Sequence, residues 1–257
     1  MNKKQERFIT KLPIIRGVIR KVDATVKEKG LVGAMKHFAA RSHSKIGVVG
    51  FELELENVLQ TKSVVLVANH PFEGEPAALI SSLPDRRDIS LIINSDFMHI
   101  SKELDKYFIP VFVGHHKHAQ GRDLLGVFFN TLMPQKRDSD EEARVKNRES
   151  MTKASQKLKH GGMVIIFPGK RGINGKWFSG VGHLLKSVGS EVYVVKAYIE
   201  GTSNKDRLRV FGKSGRFLPQ LTVYYAKPNK FESGAKEGKE IAQMLEAEYN
   251  EWVKTLR

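Results

Sequence analysis

Two short apolar runs, each ending in a turn built from Pro and Gly, constrain this chain more than any other feature. Val64-Val65-Leu66-Val67-Ala68 stops at Asn69-His70-Pro71-Phe72-Glu73-Gly74-Glu75, and Met163-Val164-Ile165-Ile166-Phe167 stops at Pro168-Gly169-Lys170-Arg171-Gly172. A β-rich run bounded by polar and Pro/Gly residues reads as a buried strand that ends in a tight turn. Further strands are expected near 46–51, 89–94, 109–113, 192–199, 207–211 and 221–226. Helices are expected over 75–82, 96–105, 121–131, 141–160, 181–187 and 235–255. Strands alternating with helices give an α/β class, with one large domain behind a helical arm and no internal repeat. In the last helix Ile241, Leu245, Tyr249 and Trp252 share one side and read as core. Asp140, Glu141 and Glu142 suit the start of the 141–160 helix, where its dipole favours negative charge.

The first turn places an imidazole at a strand C-terminus and a carboxylate, Glu75, about one helical turn further on. Ligands of open α/β sheets bind in the crevice beyond the strand C-termini. A carboxylate there can hold His70 in one tautomer and stabilise its protonated form, as base catalysis requires. The spacing alone is weak, because nine His and 28 acids in 257 residues make it common by chance; His118 and Asp123 also fit it. Context separates the two. His70 follows a buried strand, whereas His118 sits in the polar run Gly114-His115-His116-Lys117-His118. A strand-end His satisfied by neighbouring backbone remains the plain alternative for His70.

The second turn delivers two cations and two glycines. Glycine lets backbone N–H groups approach an anion closely, and Lys with Arg supplies charge-assisted hydrogen bonds to phosphate. A solvated basic turn is the plain alternative.

Together these residues resemble the glycerolipid acyltransferase family, of the 1-acylglycerol-3-phosphate or lysophospholipid acyltransferase type. Asn69-His70 through Glu75 is similar to its first motif, Asn-His-x4-Asp, with Glu for Asp. Phe167-Pro168-Gly169-Lys170-Arg171-Gly172 is similar to its third motif, Phe-Pro-Glu-Gly-Thr-Arg-Ser, without the Glu and one residue shorter. Val194 through Thr202 resembles the fourth motif, with Lys196 replacing Pro, and Gly47 through Glu52 resembles the strand before the first motif. The second-motif Arg is not evident; Lys117 and Arg122 lie beyond the strand at Ile109–Val113. The likeness runs in order from about residue 46 to about 228.

That resemblance implies a single acyltransferase domain, residues 45–257, with a mixed central sheet flanked by helices. It implies an O-acyltransferase that moves a fatty acyl group from acyl-carrier protein or coenzyme A to the hydroxyl of a lysophospholipid. His70 would be the general base and Glu75 its orienting acid. Asn69, Gly169, Lys170, Arg171, Gly172 and Arg122 would contact substrate. The thioester is already activated, so no metal or redox cofactor is expected.

Charge points to a membrane surface. The net charge is +15, and residues 1–45 carry 12 Lys/Arg against 3 Asp/Glu. Phe8, Leu12, Ile15, Ile19, Val22 and Val26 recur every three or four residues with cations between them. Such a basic amphipathic helix lies in the plane of an anionic interface. Pro13 divides or kinks it and Gly30 ends it, before a second helix over about 31–42. The expected organisation is therefore a membrane-docking arm at 1–44, with the protein cytoplasmic and peripheral on the inner face of the cell membrane. A basic helix packed on its own domain is the alternative. No run approaches the roughly 20 apolar residues that span a bilayer, and the recurring charges exclude a signal peptide.

Specific nucleic-acid binding is not expected, since no helix-turn-helix, zinc-ligand or aromatic-platform signature occurs. Zero cysteines exclude thiol nucleophiles, disulfides and zinc thiolates. His115, His116 and His118 lack a carboxylate pattern for a metal. Gly175-Lys176-Trp177 is not a P-loop, and no Gly-x-Ser-x-Gly elbow occurs. Two other readings stay open. One is a relative acylating a non-phosphatidate lipid, given the absent third-motif Glu; the other is a catalytically degenerate protein binding membrane or nucleic acid.

Overall fold

The structure, a computed structural model, describes residues 13–72, 74–112, 139–169, 176–188, 191–210, 213–232 and 234–256. Among the described residues eight strands form one mixed sheet: β1 (Ile46–Val49), β2 (Val64–Ala68), β3 (Ile89–Asn94), β4 (Phe108–Val111), β5 (Met163–Ile166), β6 (Val192–Glu200), β7 (Leu221–Tyr225) and β8 (Asn229–Phe231). Their order across the sheet is β1-β7-β6-β2-β5-β3-β4, with β8 also paired to β6. From β6 to β4 all neighbours are parallel, whereas β7 and β8 run antiparallel to β6 and β1 runs parallel to β7. The two apolar runs β2 and β5 are therefore adjacent, with Val64 opposite Met163.

Both are buried along their whole length because helices cover both faces. Alternation then sorts their side chains. Val64 and Leu66 join a core with Leu31, Leu55, Leu59, Leu79 and Leu83, from helices α1 (Pro13–Arg41), α2 (Leu53–Thr61) and α3 (Glu75–Ser82) and the residue after α3. Val65 and Val67 join the opposite core with Leu158, Leu184, Ile241 and Leu245, from α4 (Asp140–Lys159), α5 (Gly180–Val188) and α6 (Gly238–Lys254). A Ser139–Glu142 capping box opens α4, each side chain bonding the other's backbone N–H.

α5 and α6 meet where Gly182 faces Gly238. A Cβ on Gly182 would collide with the Gly238 carbonyl, and the obstacle is backbone that cannot rotate away. Gly182→Ala is therefore expected to destabilise the protein by about 1–3 kcal/mol, read as a lower midpoint in urea unfolding. An unchanged midpoint would mean that the two helices separate at little cost.

Several expected elements differ. Of the strand expected over 207–211, residues 207–210 are not extended: Asn204–Val210 forms 3-10 turns, followed by another at Ser214–Phe217, and residue 211 lies outside the described residues. The buried i,i+3 ion pair of Arg209 with Asp206, 2.8 Å, closes that turn, and the free edge of β6 is taken by β7 and β8 instead. The helix expected over 96–105 is two short 3-10 turns, Ser95–Phe97 and Leu104–Tyr107. His99 between them takes φ 66°, its N–H bonded to Asp105, which interrupts any continuous helix. α2 and β8 are additions that the pattern did not suggest. The 121–131 helix lies outside the described residues.

α1 runs through Gly30 with a kink, at φ 70° and ψ −179°, a conformation that glycine adopts without strain. Beyond the kink Leu31, Val32 and Ala34 are buried, as is Val26 before it. The Asp23 carboxylate accepts hydrogen bonds from Ser101 Oγ and from the Glu103 N–H, 3.1 Å. The helix is thus tied to the sheet domain from Asp23 onward, while residues 1–12 lie outside the described residues.

Candidate active site

The parallel strands β2, β5 and β6 end at the same edge, and the turns after them converge there. Asn69 follows β2 and uses its side chain as a strand extension. Its Nδ2 donates to the Ile199 carbonyl at 2.8 Å, and its Oδ1 accepts from the Ile199 N–H at 2.7 Å. That pair clamps the end of β2 to β6 and fixes the start of the His70 turn. Asn69→Ala would leave two polar groups of β6 without partners, so a loss of about 2–3 kcal/mol is expected. Equilibrium unfolding measures it; a variant as stable as the parent would show that water replaces the amide at no cost.

His70 comes next, and Gly74 leads into α3, whose first residue is Glu75 and second is Pro76. His70 Nδ1 and Glu75 Oε2 are 3.1 Å apart. The Glu75 side chain is fully buried, while that of His70 is 25% exposed. Glu75 Oε1 accepts the Phe72 N–H at 3.1 Å. Burial alone would raise the Glu75 carboxyl. Hydrogen bonds from His70, from the Thr202 side chain and from backbone outweigh it and hold the group below its ordinary value, so it stays ionised. A buried carboxylate bonded to Nδ1 puts the proton of a neutral imidazole on that nitrogen. Nε2 then carries the lone pair, and it takes no hydrogen bond from the described residues.

The other turns supply walls. Phe167, directly after β5, sets its ring 5.0 Å from the His70 ring. The chain then leaves through Pro168 and Gly169 and returns at Trp177. Gly169 and Trp177 form an antiparallel bridge, and the Phe178 N–H bonds the Pro168 carbonyl at 2.8 Å. Trp177 is held from α6, by Glu246 on its N–H and by the Tyr249 ring at 5.3 Å. The stems of the basic turn are thus fixed beside Phe167, while Lys170, Arg171 and Gly172 lie outside the described residues. Arg122 and the His115–His118 cluster lie outside them too. Among the described residues, no three His, Asp or Glu side chains form a metal-binding group.

Thr202, after β6, was not singled out as a site residue. It ends the third of three apolar runs that stop at a polar turn, the same signal that marks His70 and Gly169. Asp206 was missed as well. Its carboxylate packs against Gly74, where a Cβ would come within 2.8 Å of Oδ2, and it also accepts the Ser203 N–H at 2.7 Å. Lys196, which stands where the resembling motif has Pro, is a buried cation bonded to Glu248 on α6 at 2.9 Å. A base held by a buried carboxylate on a partly exposed turn at the strand ends can take a proton from a hydroxyl.

No protein-family model matches the chain, and no curated protein matches it in sequence. Among solved structures it is similar to PlsC, the 1-acyl-sn-glycerophosphate (LPA) acyltransferase of Thermotoga maritima. The two are 18% identical with a TM-score of 0.45, over 95% of this chain and 82% of that one. A superposition this loose carries no residue's role across.

Proposed function

We propose that this protein is an O-acyltransferase that moves a fatty acyl group from an acyl thioester to the hydroxyl of a lysophospholipid. His70 Nε2 takes the acceptor's hydroxyl proton as the oxygen attacks the thioester carbonyl carbon. Collapse of the tetrahedral intermediate breaks the C–S bond, and the imidazolium returns the proton to the departing thiolate. Glu75 holds the ring and offsets the charge that develops on it. Phe167 packs on the ring and helps exclude water from its face. Asn69 positions the turn through Ile199, whereas Lys170 and Arg171, with Arg122 as a further candidate, would hold the acceptor's phosphate.

The observation that supports this most is the His70–Glu75 pair, 3.1 Å apart at the end of β2, with the carboxylate fully buried and the imidazole a quarter exposed. It stands at the positions where the first motif of the resembling family has its His and acid. Acyl-carrier protein or coenzyme A would carry the acyl group, and 1-acylglycerol-3-phosphate would be the acceptor. An acidic carrier and an anionic membrane both suit a chain of net charge +15. Among the described residues no helix is long and apolar enough to cross a membrane. The proposed location is the inner face of the cell membrane, with the part of the expected 1–44 arm that precedes Asp23 as the docking segment, since Val26, Leu31 and Val32 are buried against the sheet domain.

Purified protein incubated with acyl-carrier protein and coenzyme A thioesters and a panel of lysolipids tests this by mass spectrometry. Phosphatidate is the expected product. No transfer to any acceptor overturns the reading and favours a non-catalytic binding protein. Transfer only to a lipid without a phosphomonoester favours the second acceptor class, motivated by Gly169 standing beside Pro168 where the motif has Glu.

A further inference from the structure

Between β6 and β7 the chain makes an excursion that the mechanism above does not use. β6 runs parallel to β2, and β7 returns antiparallel, so the excursion leaves and rejoins the sheet at the His70 edge. It is fastened there at two points. Asp206 packs on Gly74 of the His70 turn, and Gly215 packs on Ser42 and Ser44, just beyond α1. Ser214 Oγ bonds the Leu208 carbonyl and holds the two 3-10 turns together. The Leu221 N–H bonds the Lys45 carbonyl at 2.9 Å, which sets the start of β1 alongside.

Its surface is apolar and basic at once. Phe217 is 76% exposed and Leu208 is 42% exposed. The Arg216 guanidinium lies 4.4 Å from the Phe217 ring centroid, Lys205 and Lys213 are exposed nearby in the chain, and Lys45, whose carbonyl bonds the Leu221 N–H, is exposed as well. Asp206, the sole acid from 203 to 219, is buried on Arg209, so it does not offset those cations. Exposed aromatic and aliphatic side chains among cations are what an anionic bilayer interface takes up, the rings among the acyl chains and the cations among the headgroups.

We propose that the two 3-10 turns Asn204–Val210 and Ser214–Phe217 form a lipid-docking surface, with Phe217 and Leu208 entering an anionic bilayer so that the His70 edge of the sheet faces it. It is distinct from the basic stretch at the start of the chain. It rests on the reading of the crevice as lipid-directed, yet its test needs no turnover. Full-length Phe217→Trp and the parent are each mixed with phosphatidylglycerol vesicles made with brominated or ordinary acyl chains. Brominated chains should quench the introduced indole, while the emission of Trp177 and Trp252 in the parent stays unchanged. Phe217→Glu should weaken vesicle binding about tenfold or more, the cost of leaving one large apolar side chain outside the interface. The same variant should leave acylation of a short-chain, soluble acceptor intact. Binding without quenching of the introduced indole overturns the proposal, since another surface then meets the lipid. No binding to the vesicles overturns it too, as does an indole that responds to an acidic carrier protein and not to lipid. If transfer to the soluble acceptor fails in the parent itself, the acyltransferase reading falls while the vesicle result stands on its own.

Discussion

His70→Ala is expected to lower acyl transfer by about 10²–10⁴-fold while the protein stays folded. The side chain is a quarter exposed and stands in a turn, so its removal opens no large cavity. Its one described polar partner is Glu75, whose other oxygen keeps the Phe72 N–H. The variant should therefore give the same far-ultraviolet circular dichroism as the parent. Near-normal turnover would remove His70 from the mechanism. A rate loss that accompanies unfolding would make it a structural strand-end residue instead.

That residue was legible because two independent signals coincide on it. β2 is apolar at every position, since helices cover both faces of the sheet, and an unbroken apolar run stopped by Pro and Gly is visible in sequence. The His-x4-Glu spacing then falls on the turn after the run. The supporting residues were less visible for a topological reason. Phe167 and Thr202 reach the His70–Glu75 pair because β5 and β6 flank β2. Nothing local to residues 167 or 202 encodes that neighbour order. Asn69 was expected among the substrate contacts, yet its amide is used on Ile199, a partner 130 residues away in the chain.

The misassigned elements follow the same division. Leu208 and Val210 alternate with Arg207 and Arg209 as a strand would. What decides their conformation is the Asp206–Arg209 pair and the prior occupation of the β6 edge. β8, Asn229-Lys230-Phe231, has no apolar run to announce it. It pairs with Val192–Val194 because β6 is nine residues long and β7 covers only its second half. Local pattern located the buried strands, and competition for their edges located the rest.

Glu75→Gln should be nearly as damaging to turnover, about 10²–10⁴-fold, although the substitution keeps the shape of the side chain. The carboxylate accepts from the Phe72 N–H, from His70 and from Thr202, all while fully buried. An amide offers one acceptor oxygen and two N–H donors. At least one of those partners would then face a donor, and the charge that steadies protonated His70 would be gone. Stability should fall by about 2 kcal/mol, the scale of a buried hydrogen bond to a charged group. The pH dependence separates this from a packing defect. Glu75 titrates below its ordinary value in the folded protein, so the unfolded chain takes up that proton first as the pH falls. The stability contributed by the carboxylate is therefore present above the ordinary glutamate range and is lost as the pH drops through the folded value. Urea unfolding of parent and variant should differ most near neutral pH, and the two curves should converge on acidification. A difference that stays constant with pH would show that the variant's defect is one of shape, and that the buried charge at Glu75 does not hold His70.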